Sequence, residues 1–300
     1  MNVVEAGKRI MLRNILFTTD FSPCSDTALP YAVSLARKYG ATLHAAHAMP
    51  TMADIVFMSP EGWSTLADEI ELQAERQIAE LEGNLKEVPH RVLIQKGEIS
   101  DVLGGIISQN AIDLVVLGTH GRTGIGKLVL GSTAEEIFRR ARCPVLSVGP
   151  RVSHKPAGDA EFHHILFATD FSPESLAALP YAISLAEEDE AQVALLHVVS
   201  QPAAGIVDLE TVTAYFERRL INLIPLDADP WCHAECSVEF GRPFASPAEG
   251  ILRVAEDSTA DLIVLGVRSV PGKFGLITHL ATTTAQILAH AACPILTVRG

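Results

Sequence analysis

Two stretches of this chain, ILFTTDFSPCSDTALPYAVSLA (15–36) and ILFATDFSPESLAALPYAISLA (165–186), differ at five of 22 positions and stand at a constant offset of 150. The correspondence continues along the chain. His47 matches His197, DLVVLG (113–118) matches DLIVLG (261–266), and CPVLSV (143–148) matches CPILTV (293–298). The 300-residue chain is a tandem duplication, so whatever one half folds into, the other must fold into as well. The Gly, Pro and charge content of 149–162 marks the join, giving domains at 1–150 and 163–300 with a linker at 151–162.

Within each half, short apolar runs bounded by turn residues alternate with longer amphipathic segments. That is the pattern of βαβ units on a parallel sheet buried on both faces, an α/β fold. In the first half the strands are expected at 14–19, 42–48, 90–96, 113–118 and 144–149. The first helix should take Ser22 as N-cap and Pro23 at its first position, and stop at Gly40, with Pro30 causing a kink or short break. The second places Leu66, Ile70, Ala74, Ile78, Leu81 and Leu85 on one stripe.

A hydrophobic content of 48% suffices for two buried cores, while a formal charge of −13 excludes a sequence-independent nucleic-acid binder and disfavours an anionic membrane surface. The first residues lack the apolar run of a leader, and no later run reaches the roughly 20 apolar residues of a bilayer span, so a cytoplasmic protein is expected. Five cysteines in so long a chain suit reduced thiols better than a disulfide framework.

In a doubly wound sheet a ligand sits beyond the carboxyl ends of the strands, where TTDFS (18–22), HAMP (47–50) and the loop LGTHGRTGIGKLVLGST (117–133) should meet. Gly118 and Gly121 would let the loop turn tightly, and the Ser132-Thr133 hydroxyls would open the next helix, where orphan amides favour an anion. Arg122 and Lys127 could add positive charge for a polyphosphate. The competing reading is that Ser132-Thr133-Ala134-Glu135 is only a capping box. A Walker A loop is excluded because Lys127 is followed by Leu128, and no G-x-G-x-x-G is present.

Gly118, Gly121, Gly131 and Ser132 together resemble the G-x2-G-x9-G-[ST] motif of the nucleotide-binding universal stress proteins, and the resemblance covers the whole chain twice. It implies two flavodoxin-like domains of the adenine nucleotide alpha hydrolase-like kind, each a five-stranded parallel sheet of order 3-2-1-4-5. It further implies ATP, with Thr19 and Asp20 lining an adenosine pocket and the Ala48 backbone at the adenine edge. Gly118, His120, Gly121, Arg122, Gly131, Ser132 and Thr133 would lie around ribose and phosphates, with any Mg²⁺ near Ser132. Pairing through the last strands, 144–149 with 294–299, is expected within one chain, a homodimer being the other arrangement. Asp20 also has a structural reading as a helix cap, and so does Asp170, its counterpart in the second half. His47 and His197 read as core histidines.

The second half departs from the motif. Gly131 corresponds to Ala281 and Gly121 to Ser269, and the loop gains two residues and a proline. Its nucleotide affinity should be much weaker or absent. Its WCHAEC segment (231–236) invites a metal reading, but Cys232 and Cys236 on an extended strand would be about 13 Å apart, too far for one ion. The function expected is an ATP-binding stress or signalling protein, with the first half as nucleotide switch and the second as structural or interaction pseudo-copy for signalling partners that the sequence does not identify. A nucleotide-independent scaffold is the rival, and His120 is the sole candidate base for an ATPase, so any hydrolysis should be slow.

Overall fold

The computed structural model describes residues 9–49, 63–119, 134, 137–138, 141–155, 160–199, 208–225, 234–241, 246–268 and 283–300, leaving aside the side chains of 63–71 and 100. Alternating apolar runs become strands β1 (Asn14–Thr18), β2 (Thr42–Met49), β3 (His90–Lys96), β4 (Leu114–Gly118) and β5 (Val145–Val148) in the first half. The second half repeats them as β6 (His164–Ala168), β7 (Gln192–Val199), β8 (Glu235–Phe240), β9 (Leu262–Val267) and β10 (Ile295–Arg299).

The helices between them are α1 (Pro23–Tyr39), α2 (Trp63–Leu85) and α3 (Ile99–Gln109), then α4 (Pro173–Leu176), α5 (Leu179–Asp189), α6 (Leu209–Ile221), α7 (Pro247–Asp257) and α8 (Thr283–His290). The capping expectations for α1 hold. Ser22 accepts from the Ser25 amide, Pro23 opens the helix, and Gly40 closes it at φ 61°.

Pro30 does not break α1, which runs uninterrupted through it. The break occurs in the second half instead, between α4 and α5, where Pro180 opens the resumed helix. Proline withholds the same backbone donor in both copies. The first copy has Thr27, whose hydroxyl donates to the Pro23 carbonyl at 2.8 Å, where the second has Ala177.

All described strands join one ten-stranded sheet in the order β3-β2-β1-β4-β5-β10-β9-β6-β7-β8. Every pairing is parallel except that of β5 with β10, where Leu146 faces Leu296 in an antiparallel register. Residues at a spacing of 150 thus meet across a pseudo-two-fold axis. One face buries Ile15, Phe17, Leu43, Ile165 and Phe167 under α1, α2, α5 and α6, and the other buries Leu16, Val115, Leu166 and Ile263 under α3, α7 and α8.

The connecting segment belongs to the first of these cores. Val152, Ala160 and Phe162 are buried in it, and Phe162 stacks on Tyr31 with ring centroids 6.0 Å apart. Lys38 of α1 and Asp189 of α5 form a mostly buried ion pair across the halves, and Asp189 also accepts the Phe162 amide at 2.9 Å. None of the described helices is long and apolar enough to cross a membrane.

Candidate functional site

The carboxyl ends of β1, β2 and β4 meet at the strand-order reversal, and the chain's local chemistry there is tightly specified. Thr19 is buried: its amide donates to the Ala46 carbonyl, and its hydroxyl accepts the Phe21 amide and meets the Ser25 hydroxyl at 3.1 Å. These bonds hold Phe21 at φ 57°, a left-handed conformation that costs a bulky residue roughly 1 kcal/mol or more. Asp20 is thereby set at the turn, one carboxylate oxygen accepting the Ser22 amide at 3.1 Å.

His47 fixes the other side. Its Nδ1–H donates to the Thr19 carbonyl at 2.8 Å, which sets the tautomer, and its ring lies 4.6 Å from that of Phe21. His47 and His197 therefore brace the ends of their strands; His197 is buried, as expected of a core histidine, whereas His47 is half-buried.

Alternate β2 residues face β1, and Ala46 is one of them because its carbonyl takes the Thr19 amide. The Ala48 backbone points the same way, one step past the end of β1, where the Phe21 amide has turned back to Thr19. A peptide edge thus lies past the end of β1 on the side of Asp20, a backbone donor and acceptor pair.

Gly118 ends β4, and a methyl group there would come within 2.7 Å of the Cys24 carbonyl carbon and 2.8 Å of the Ser25 amide nitrogen. Its bare Cα lets the first turn of α1 lie directly on the strand, so its role in the described structure is helix packing. His120, Gly121, Arg122, Gly131, Ser132 and Thr133, with the Mg²⁺ position near Ser132, lie outside the described residues. The structure brings together Thr19, Asp20, Ala48 and Gly118 from three separated segments.

The second half repeats the frame almost atom for atom. The Thr169 hydroxyl accepts the Phe171 amide, Asp170 accepts the Ser172 amide at 2.9 Å, and His197 Nδ1–H donates to the Thr169 carbonyl at 2.8 Å. Burial pushes the Asp170 carboxyl up, but hydrogen bonds from Ser172 and Ser175 and the nearby Arg268 outweigh it, leaving it below the usual carboxylate range. Burial also lowers His197, so the neutral ring is favoured.

A cavity of about 490 Å³ opens at these strand ends, with Asp170, Ser172, His197, Arg268, Thr283 and Thr284 on its walls. Arg268 lies 3.9 Å from Asp170 and 3.8 Å from Glu174. It was not singled out in the sequence, although a cation directly after β9, where the first half has His120, is the signal that could have found it. Behind His197, Phe216 and Arg219 of α6 cover Phe171, the guanidinium 3.9 Å from the ring centroid. A larger groove of about 710 Å³ lies away from the strand ends, on the flanks of α7 and α8.

The described cysteines, Cys24, Cys143, Cys236 and Cys293, are unbridged. Burial pushes the thiols of Cys143 and Cys236 up to about 11 and Cys293 to about 12, which keeps them protonated. Trp231, Cys232 and His233 lie outside the described residues, and among those described no group of His, Cys, Asp and Glu could hold a metal.

With this geometry in view, comparison with known proteins finds the family model described as the universal stress protein family twice, over residues 11–149 and 161–299. A universal stress protein of Mycobacterium bovis is 22% identical over 312 aligned residues, covering 95% of this chain and 94% of its own. A universal stress protein A homolog of Coxiella burnetii is 32% identical over 139 residues, 45% of this chain and 95% of its own. Among solved structures, a universal stress protein from Archaeoglobus fulgidus superposes with a TM-score of 0.70 at 18% identity, covering 96% of this chain and 97% of that one.

Proposed function

Because the chain belongs to the universal stress protein family through both of its halves, we propose that its first half binds ATP as an effector and its second half is a structural pseudo-copy. The observation that carries this reading is the turn at the end of β1. Asp20 and the Ala48 peptide edge stand side by side at the carboxyl ends of β1 and β2, braced by His47 and Thr19, with the G-x2-G-x9-G-S sequence beginning at the end of β4.

Electrostatics favour the first half for an anionic ligand. Residues 1–150 hold 14 Lys and Arg against 17 Asp and Glu, whereas residues 151–300 hold 9 against 19. In the second cleft the cation Arg268 already faces two carboxylates, and Ala281 and Ser269 stand where the first half has glycines. The donor set of the first half fits a nucleotide: a carboxylate and a peptide edge for the nucleoside, and glycine amides with Ser132 and Thr133 hydroxyls for phosphates and a bridging Mg²⁺. By sequence His120, in the loop after β4, is the sole candidate base, so any hydrolysis is slow and ATP acts as an effector whose binding shifts the population of a partner-binding state. The partners are signalling proteins, and the compartment is the cytoplasm.

Native mass spectrometry and calorimetric titration test this. The expected result is one ATP per chain, abolished by Gly131→Val and weakened about tenfold or more by Asp20→Ala, with Asp170→Ala leaving it unchanged. Two nucleotides per chain, or none at millimolar ATP and Mg²⁺, would overturn the assignment.

A further inference from the structure

The two outer strands of the sheet, β3 and β8, each have a strand neighbour on one side only among the described residues. Their other edges can be assigned atom by atom. Leu43 N–H donates to the Pro89 carbonyl and Gly97 N–H to the Met49 carbonyl, so the backbone groups of Arg91, Leu93 and Gln95 face β2, and those of His90, Val92, Ile94 and Lys96 face outward. Likewise Gly241 N–H donates to the Val199 carbonyl, which turns the backbone of Cys236, Val238 and Phe240 outward from β8.

These edges carry opposite charge. The stretch 90–96 contains Arg91 and Lys96 and no acid, whereas 235–240 contains Glu235 and Glu239 and no base. The ends are also where the exposed apolar side chains collect. Of the six large hydrophobics exposed among the described residues, Ile94 is on β3, Leu72 on α2, and Leu209, Tyr215 and Ile221 on α6. Helices α2 and α6 lie over the same face of the sheet, beside β3 and β8 respectively.

We propose that β3 of one molecule pairs antiparallel with β8 of a second copy of this chain, joining molecules end to end. The direction follows from the fold. The antiparallel β5–β10 join makes the strands of the two halves run oppositely, so a neighbour displaced along the sheet presents its β8 antiparallel to β3 with matching faces. One register satisfies both faces: Val92 opposite Val238 and Ile94 opposite Cys236 on one, and Arg91 opposite Glu239 on the other. Glu239 already meets Arg253 of its own chain, so Arg91 adds a second cation to one carboxylate.

Charged edge residues usually keep sheets apart. Here they forbid only the symmetric pairings. Two β3 edges would gather Arg91 and Lys96 of both copies along one seam, and two β8 edges would set Glu235 against Glu239. The complementary patches are at opposite ends of one sheet, so the contact is head-to-tail and does not close on a dimer.

Sedimentation velocity and mass photometry of the full chain at low ionic strength test the inference. The average mass should grow with concentration past that of a dimer and fall as salt is added, since the pairing charges are exposed. Arg91→Glu and Glu239→Arg should each weaken association about tenfold while keeping the circular dichroism spectrum. Mixed one to one, the two variants should regain end-to-end growth, because one join keeps the native Arg91–Glu239 pair and the other sets the new glutamate opposite the new arginine. A wild-type chain that stays monomeric or stops at a dimer, association that strengthens with salt, or a mixture that stays monomeric overturns the proposal. The wild-type concentration and salt series alone decides it if either variant fails to fold.

Discussion

Gly118 and Gly105 are both glycines in regular structure of the first half, yet the consequences of giving each a methyl group are opposite. At Gly118 the new carbon would press on the backbone of Cys24 and Ser25, and backbone cannot move aside as a flexible side chain can. At Gly105, inside α3, its nearest neighbour is the end of the Gln109 side chain at 3.9 Å. Chemical denaturation should show Gly118→Ala losing about 1–3 kcal/mol or more and Gly105→Ala gaining about 0.5–1 kcal/mol. The sequence marks Gly118 as special through the motif it starts, but not why. A glycine needed for close helix approach and one needed for a ligand look alike in sequence. The bracing by His47 was not legible, because its partner is a carbonyl 28 positions away.

The duplicated elements provide matched comparisons in one molecule. Helix α1 ends on Gly40 at φ 61°, whereas its repeat α5 ends on Glu190 at φ 51°, a conformation that glycine adopts freely and glutamate does not. Glu190→Gly should raise stability by about 1 kcal/mol in thermal or urea unfolding, and Gly40→Ala should lower it by about as much. The caps, strand runs and helix positions were readable because they depend on local chemistry: Ser22, Pro23 and Gly40 announce α1 from both ends. The placement of the helix break was not. Both copies carry the proline, and the difference between an intact α1 and a divided α4–α5 coincides with one hydroxyl, that of Thr27. The outward edges of β3 and β8 were likewise invisible, since periodicity reports how a strand is buried and not which neighbour it lacks.

Across the molecule, the two halves share one core rather than sitting as beads on a tether. Lys38 and Asp189, with side chains 17% and 3% exposed, stand 151 positions apart and carry no sequence signal linking them. Removing the lysine leaves a carboxylate buried with the Phe162 amide as its hydrogen-bond donor among the described residues, so Lys38→Ala should cost about 3 kcal/mol, while Arg37→Ala, which breaks the exposed pair with Glu87, should cost under about 1 kcal/mol. Denaturation followed by two probes, one in each half, should remain a single transition in both variants. The β5–β10 join has a consequence that reaches beyond stability. Two separate identical subunits would dissociate on dilution and would share every substitution, so a loop lost from one would be lost from both. Tied by the segment that runs from β5 to β6, the β5–β10 pair persists at any dilution, and its symmetry can be broken at no cost to assembly. One half is free to diverge at Ser269 and Ala281 while the other keeps Gly121 and Gly131, and each molecule is then born with both kinds of subunit in a fixed ratio.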